Sequence, residues 1–477
     1  MKILQAIDDP ALFAPWFRRG NWSAWRAFLA TVFGLTPPDG GELHRRCTGR
    51  SALNEAAFSE GWLIIGRRGG KSFILALIAV FLAAFHDYRP YLQPGERATI
   101  MVLASDKRQA RVIMRYATAL LEGVPMLRQL IGTSTAESVD LRNLVSLEIH
   151  AASFRGTRDH TLAAVLADEI AFWRSEESAN PDREILAALR PGMATIPGSM
   201  LLCASSPYAR RGALYDAYRR HFGQEGSPVL VWQAPSQVMN PSIPDRVIGQ
   251  AYEEDPASAA AEYGAQFRDD VESYIGCEAL NGLVSTGVRE RGRISGNRYV
   301  GFVDPSGGSR DSMTLAIAHA ERDEVILDAL REVLPPFSPE AAVKEFAGVL
   351  KAYGLRSVSG DRYAGDWPRE RFREHGIEYK VADRTRSDLY RDLLPLLNSD
   401  RVDLLENQRL VSQLSALERR TSRGGHDTID HASGGHDDLA NAAAGALLMA
   451  ESNRSNRVLS KPVIFTVPRS DEIPGLY

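Results

Sequence analysis

Between residues 61 and 236, short apolar runs alternate with stretches whose apolar positions recur at helical spacing. The runs are Trp62 to Ile65, Ala98 to Ala104, Val145 to His150, Leu162 to Ala167, Met200 to Ala204 and Val229 to Trp232. Each has strand length, is bounded by polar residues or glycine, and is separated from the next by a helical pattern. That rhythm predicts a mostly parallel α/β sheet. Residues 1–60 read as helical and polar, and Pro256 to Phe267 also carries a helical pattern. A second α/β region opens at Tyr299, with strands expected at Tyr299 to Val303, Ser312 to His319 and Glu324 to Leu330 at hairpin spacing. A helix (Pro339 to Tyr353), a strand (Arg356 to Gly360), a helix, a strand (Ile377 to Ala382) and more helix follow, which predicts a mixed sheet. The expected organisation is a helical segment over 1–60, a first α/β domain over 61–272, a connection over 273–297, a second α/β domain over 298–455 and a polar tail over 456–477.

With 477 residues the chain is too long for one core, in keeping with that division. Apolar residues at 44% and charged residues at 24% exclude a largely disordered chain or a collagen-like fibre. The net charge of -4, with neither half a basic arm, means that a nucleic-acid partner would have to be met by local basic groups. Three widely spaced cysteines suit a reducing compartment and offer neither a zinc site nor a disulfide framework. The longest apolar run, Phe73 to Phe85, is too short to span a bilayer, and Asp8-Asp9-Pro10 lies where a signal peptide would be apolar. A soluble intracellular protein is expected.

The strongest local signal is GWLIIGRRGGKSFILALIAVF. A strand ends at Ile65, the turn Gly66-Arg67-Arg68-Gly69-Gly70 follows, and Lys71-Ser72 opens an apolar helix. Backbone N–H groups of such a turn point at phosphates, the lysine adds a charge, and the serine hydroxyl can hold magnesium. The usual first glycine, six residues before the lysine, is here Ile65. In TLAAVLADEIAFW, Asp168 and Glu169 end a strand 97 residues after Lys71. There an aspartate can reach magnesium and a glutamate can polarise the attacking water. MLLCASSP ends a further core strand in Ser205 and Ser206, whose hydroxyls either sense a γ-phosphate or simply close a turn. Arg67 or Arg68 can stabilise transition-state charge or be an ordinary loop arginine. Arg155, Arg158, Arg210, Arg211, Arg219 and Arg220 are candidate polyanion contacts. Trp22 and Trp25 either stack on a base or pack in the core.

A second constellation is carboxylate-only. Asp304 ends the first strand of the second region, Asp361 ends the fourth, and Asp437 and Asp438 open an Ala-rich helix in GGHDDLANAAAGALLMA. Oxygen donors without a His/Cys cluster suit Mg²⁺ or Mn²⁺. Two such ions could clamp the attacking and leaving oxygens of a phosphodiester. Read singly, Asp437 and Asp438 are first-turn acids favoured by the helix dipole, and Asp304-Pro305 is a turn. His436, Asp311, Asp328, Asp427 and Asp430 are possible supporting groups.

Together the loop GRRGGKS, the strand end VLADEIAFW, the SSP strand end and the acid pair of GGHDDLANA resemble the large terminase subunit of tailed bacteriophages, over roughly residues 20 to 455. The resemblance implies an N-terminal P-loop (ASCE-type) ATPase and a C-terminal RNase H-like nuclease. It implies ATP and Mg²⁺ as cofactors, with Mn²⁺ also serving the nuclease. It puts Lys71 and Ser72 on phosphate and magnesium, Asp168 on magnesium, Glu169 in catalysis, and Arg67 or Arg68 on the γ-phosphate. Asp304, Asp361 and one or both of Asp437 and Asp438 become the nuclease's metal ligands, with Asp438 favoured. The implied partners are double-stranded DNA, a portal protein, a small terminase subunit and further copies in a ring on the portal, with no membrane. The implied setting is the cytoplasm of a bacterial host. The alternatives are a cellular ATP-dependent helicase or repair nuclease, and a non-catalytic DNA-binding scaffold.

Overall fold

The computed structural model describes residues 1–477 except 19–20, 154–159, 175–177, 179, 310, 362–366, 422–426, 433–434 and 460–477. The chain divides into two units, residues 1–272 with 420–425, and residues 273–419 with 426–477. The fold class is the one read from the sequence: a mostly parallel sheet in the first unit and a mixed sheet in the second.

The first unit holds β1 (Glu60–Ile65), β2 (Ala98–Ala104), β3 (Ile131–Ser134), β4 (Ser138–Leu141), β5 (Val145–Ala151), β6 (Thr161–Asp168), β7 (Met200–Ser205) and β8 (Val229–Ala234). They form one sheet in the order β3-β4-β5-β2-β6-β7-β1-β8. All pairs are parallel except β3–β4 and β4–β5. The six strands expected at 62–232 are all present. The antiparallel edge was not anticipated, because β3 is mostly exposed and polar and carries no apolar run. Both faces of the central strands are covered. In β1, Leu63 and Ile65 join one core with the Lys71–Phe85 helix and with Trp25, Phe28 and Leu29 from the N-terminal helices. Trp62 and Ile64 join the core on the opposite face. The strand is therefore apolar at successive positions, as a two-sided strand must be.

The short β9 (Val271–Ser273) spans the point in the chain where the first unit gives way to the second. Beyond it come β10 (Val284–Ser285), β11 (Tyr299–Asp304), β12 (Met313–Glu321), β13 (Glu324–Val333), β14 (Ser357–Gly360), β15 (Glu378–Val381) and β16 (Val402–Leu405), in the sheet order β10-β16-β13-β12-β11-β14-β15. β11, β12 and β13 are antiparallel, while β14 and β15 add in parallel to β11. The stretch 273–297, expected as a connection, is part of this unit. Tyr274, Ile275, Leu280 and Leu283 lie in its core, and β10 pairs with β16. Its frequent glycines hid four buried apolar residues. The final helix, Asp438–Leu459, runs past the expected domain end at 455. Among the described residues, no helix is long and apolar enough to cross a membrane.

That last helix lies close on the sheet because its inner face is Ala and Gly. A Cβ on Gly445 would stand 2.3 Å from the Phe302 ring, which is itself buried. Gly445→Val therefore forces helix and strand apart, an overpacking cost of about 1–3 kcal/mol. Denaturant unfolding of the full chain should show the second unit's transition at lower concentration; an unchanged midpoint would mean that the helix can lift off the sheet freely.

Candidate functional site

The first unit places its candidate residues at the C-terminal ends of β1, β6 and β7. β7 lies between β1 and β6, so Ser205 and Ser206 fall between the phosphate loop and the acids. Gly66 and Gly69 are required by space: a Cβ on Gly66 would meet Ser236 Oγ at 2.3 Å, and one on Gly69 would meet Ile65 Cγ2 at 2.6 Å. Gly70 and Arg68 have φ of 98° and 64°, which turn the chain into the helix that starts at Lys71. Ile65, in the place of the usual glycine, is simply the last buried residue of β1. Its carbonyl accepts from Lys71 Nζ at 3.0 Å.

Lys71 is buried and its ammonium is fully engaged. Besides Ile65 O it donates to Ser206 Oγ at 3.0 Å and pairs with Glu169 Oε1 at 3.2 Å. Three N–H groups thus meet three acceptors. Glu169, with φ 49°, receives Ser206 N–H at 3.0 Å and Ser205 O–H at 3.1 Å on its other oxygen. Ser72 Oγ donates to Asp168 Oδ2 at 3.4 Å, while Asp168 Oδ1 is buried with no hydrogen-bond partner among the described residues. Burial first, and the Glu169 charge next, push the Asp168 carboxyl well above the ordinary carboxylate range, against the pull of Lys71. A buried acceptor without a donor and a carboxyl short of positive charge are what a cation beside Ser72 and Asp168 would relieve.

The two loop arginines differ. Arg67 N–H donates to Glu262 O, and its guanidinium pairs with Glu262 Oε1 at 3.0 Å. The Arg68 side chain is exposed and makes no hydrogen bond or ion pair among the described residues, while its carbonyl is held by Asn240 Nδ2 at 2.9 Å. Trp25 is wholly buried and its indole N–H donates to Gly69 O at 2.9 Å, so it braces the loop from the core. Trp22 packs on Phe17 and Phe73. Of the candidate polyanion contacts, Arg155 and Arg158 lie outside the described residues, and Arg210 stands 3.7 Å from Asp269.

The second unit gathers its acids around one cleft of about 640 Å³, lined by Asp304, Asp361, Asp437 and Asp438 among others. Register explains the first pair: β11 and β14 are parallel with Val303 opposite Gly360, which sets Asp304 beside Asp361. Only glycine fits at 360, because a Cβ there would meet Val303 O at 2.5 Å and Tyr379 Oη at 2.3 Å. Burial first, then the Asp361 charge, raise the Asp304 carboxyl well above its ordinary range; burial likewise raises Asp361. Asn441 Nδ2 donates to Asp361 Oδ2 at 2.8 Å.

Asp437 and Asp438 part company at the helix start. Asp437 is tied on both oxygens, by Arg386 Nη1 at 2.7 Å and Tyr390 Oη at 2.9 Å. Asp438 keeps a contact of 3.3 Å from Ser312 N–H on Oδ2 and lines the cleft. Burial, reinforced by Asp437, pushes its carboxyl up to about 6. Among the described residues, no three carboxylates of this cleft bring oxygens within 4.8 Å of one another. They line the cleft without three of them converging within that distance. His436 and Asp311 line the cleft too, whereas Asp328 pairs with His319 at 2.7 Å and does not. Asp427 is engaged by Arg419, and Asp430 stands 3.8 Å from Arg386. Arg386, Tyr390, Asn441 and Ser312 were not singled out from sequence. Asn441 alone carried a signal, being three residues after Asp438 and so on the same helix face.

No family model and no curated protein matches the chain. Among solved structures, the HK97 bacteriophage large terminase matches with 14% identity over 82% of this chain and 91% of that one, at a TM-score of 0.37. The large terminase of a thermophilic bacteriophage, in complex with ADP, matches with 10% identity over 82% and 94%, at 0.36. The large terminase nuclease of thermophilic phage G20c, with bound magnesium, matches with 18% identity over 36% and 94%, at 0.31. The resemblance read from the sequence is thus met again among solved structures. At these identities and TM-scores, what each site can do rests on its own geometry.

The raised Asp438 carboxyl has a consequence for stability. A group whose folded pKa exceeds its unfolded value favours the folded state at low pH, and that contribution is lost as pH rises through the folded value. Between about pH 4 and 6, without divalent metal, the ionised Asp438 therefore becomes a cost to the folded chain. Asp438→Asn should stabilise the protein at pH 8 by on the order of 2 kcal/mol, with the gain fading toward pH 4. Unfolding curves in chelator at the two pH values check this; equal gains at both would remove the charge from the account.

Proposed function

We propose that this chain is the ATP-hydrolysing motor and endonuclease subunit of a viral DNA-packaging machine. The reading is carried by one observation: the chain holds two separate carboxylate sites, one built on a Gly-rich loop before a helix and one gathered around Asp304, Asp361, Asp437 and Asp438. The first suits phosphoryl transfer and the second phosphodiester cutting.

In the first site, Mg²⁺ would be held by Ser72 and Asp168, and when bound it neutralises charge on the β- and γ-phosphates of ATP. Lys71 is occupied by Ser206, Ile65 O and Glu169. Arrival of the triphosphate gives Lys71 better acceptors and releases Glu169 from its ion pair. Glu169, still oriented by Ser205 and Ser206, then polarises the water. Of the two arginines, Arg68 is free to reach the γ-phosphate, while Arg67 anchors the loop to Glu262. In the second site Asp304, Asp361 and Asp438 would hold Mg²⁺ or Mn²⁺, which activates water and stabilises the leaving oxygen of the cut strand. Asp437 orients the helix start through Arg386 and Tyr390. Double-stranded DNA is the proposed polymer, with a portal protein, a small terminase subunit and further copies in a ring as partners, in the host cytoplasm. Intact Lys71, Asp168 and Glu169 weigh against a non-catalytic scaffold. A helicase built from the same two sites would unwind forked DNA, whereas a packaging motor responds to duplex and binds a portal.

Lys71→Ala and Glu169→Gln should each lower ATP turnover at least 100-fold, but only Glu169→Gln should keep nucleotide binding, since its phosphate loop is intact. A malachite-green phosphate assay with a fluorescent-nucleotide titration checks both; near-normal turnover in Glu169→Gln would dismiss the role given to it. For the nuclease, Asp304→Asn should abolish Mn²⁺-dependent plasmid cutting yet leave ATP turnover within about twofold. Asp438→Asn should cut at background, and Asp437→Asn should retain more activity than Asp438→Asn. Loss of ATP turnover in folded Asp304→Asn would point to one shared site instead of two.

A further inference from the structure

We propose that Glu148, His150 and His160 form a site for a transition-metal ion of the zinc class, in the first unit and sharing no residue with the nucleotide site. Two of the three donors come from strand geometry. Successive side chains of β5 alternate in direction, so Val145, Leu147 and Ile149 enter the core while Glu148 and His150 share the other face. The third, His160, stands immediately before β6.

His150 Nε2 lies 3.0 Å from Glu148 Oε2, His160 Nδ1 lies 3.8 Å from the same oxygen, and the two rings meet edge to face at 5.4 Å. One donor atom from each residue fits within 4.8 Å of the others, which no other group of three His, Cys, Asp or Glu achieves among the described residues. Zinc bonds of about 2.0–2.1 Å in a tetrahedron put ligand atoms roughly 3.3–3.4 Å apart. The observed separations bracket that value, so small rotations would close the set. A Glu148–His150 ion pair alone accounts for the first distance. Among the described residues it leaves His160 without a hydrogen bond to the carboxylate, which its Nδ1 approaches to 3.8 Å. All three side chains are about one-quarter exposed, shielded enough to favour the ion and open enough for a water at the fourth position. Two imidazoles and a carboxylate are a borderline-soft set that selects zinc-class ions over Mg²⁺, unlike the oxygen-only acids of the second unit. Nine residues, 151–159, separate His150 from His160 in the chain, so a bound ion would tie the end of β5 to the start of β6.

The test titrates Zn²⁺ into the full-length chain by calorimetry, with millimolar Mg²⁺ present to fill the oxygen-only sites. Wild type should take up one more Zn²⁺ equivalent than His150→Ala or His160→Ala, and Zn²⁺ should raise the melting temperature of wild type more than that of either variant. His160→Gln, which keeps much of the side-chain volume and removes the imidazole, guards against misfolding in the alanine variants and should weaken that equivalent at least tenfold. ATP turnover of folded His160→Gln in Mg²⁺ should match wild type. Equal Zn²⁺ stoichiometry and affinity in wild type and the histidine variants, or no uptake by wild type, would overturn the proposal.

Discussion

Each unit is organised around a cluster of largely buried carboxylates with one cationic side chain paired into it. That side chain is Lys71 in the first, and Arg386 in the second. Withdrawing carboxylates from water is costly, and like charges nearby raise the cost. One cation cannot serve them all, and the remainder shows in the raised carboxyls of Asp168, Asp304, Asp361 and Asp438. Parallel strands explain how such a group persists: their C-terminal ends fall on one edge of a sheet whose faces are already filled. The rest of each unit supplies the apolar burial that offsets the strain at that edge.

The candidate phosphate loop stood out in the sequence because everything it needs is local. A two-sided apolar strand, close-approach glycines and an apolar helix lie within about 25 consecutive residues. Asp168, Glu169 and the serines of β7 were legible for a related reason. Each ends a short apolar run, and such runs align in a parallel sheet. Asp304 and Asp361 could be found in the same way. What closes the sites was not legible. Arg386 stands 51 positions from Asp437, and Gln413, which accepts from the N–H groups of Leu439 and Ala440, stands 26 from the first of them. No periodicity marks such partners, because the fold alone brings them together. The stretch 273–297 misled for the opposite reason: glycine-rich composition is a local signal, while its burial depends on β16 and the helices packed on it.

The departure at Ile65 leaves the local geometry of the candidate loop intact. A phosphate loop requires backbone that approaches a ligand closely and a lysine placed by the helix start. Here the close approaches fall at Gly66 and Gly69, against Ser236 and Ile65, and the turn into the helix at Gly70. Position 65 contributes only its carbonyl to Lys71 and its side chain to the core. A β-branched residue is well suited to a strand end of that kind.

Asp437 and Asp438 carry the same logic to a single peptide step. Asp437 stands just before the helix and Asp438 is its first residue, and the two side chains take different partners. Asp437 turns toward the Arg386–Asn398 helix, where Arg386 and Tyr390 take both its oxygens. Asp438 turns toward β12, where the Ser312 N–H and the cleft receive it. Its carbonyl is held in turn by Thr314 Oγ1 at 2.7 Å. A carboxylate with both oxygens engaged by an arginine and a tyrosine has little left for a cation, whereas one raised by burial and by its neighbour gains most from one. The helix start thus divides the labour of the acid pair: Asp437 locks the helix against its neighbour, and that lock holds Asp438 at the cleft.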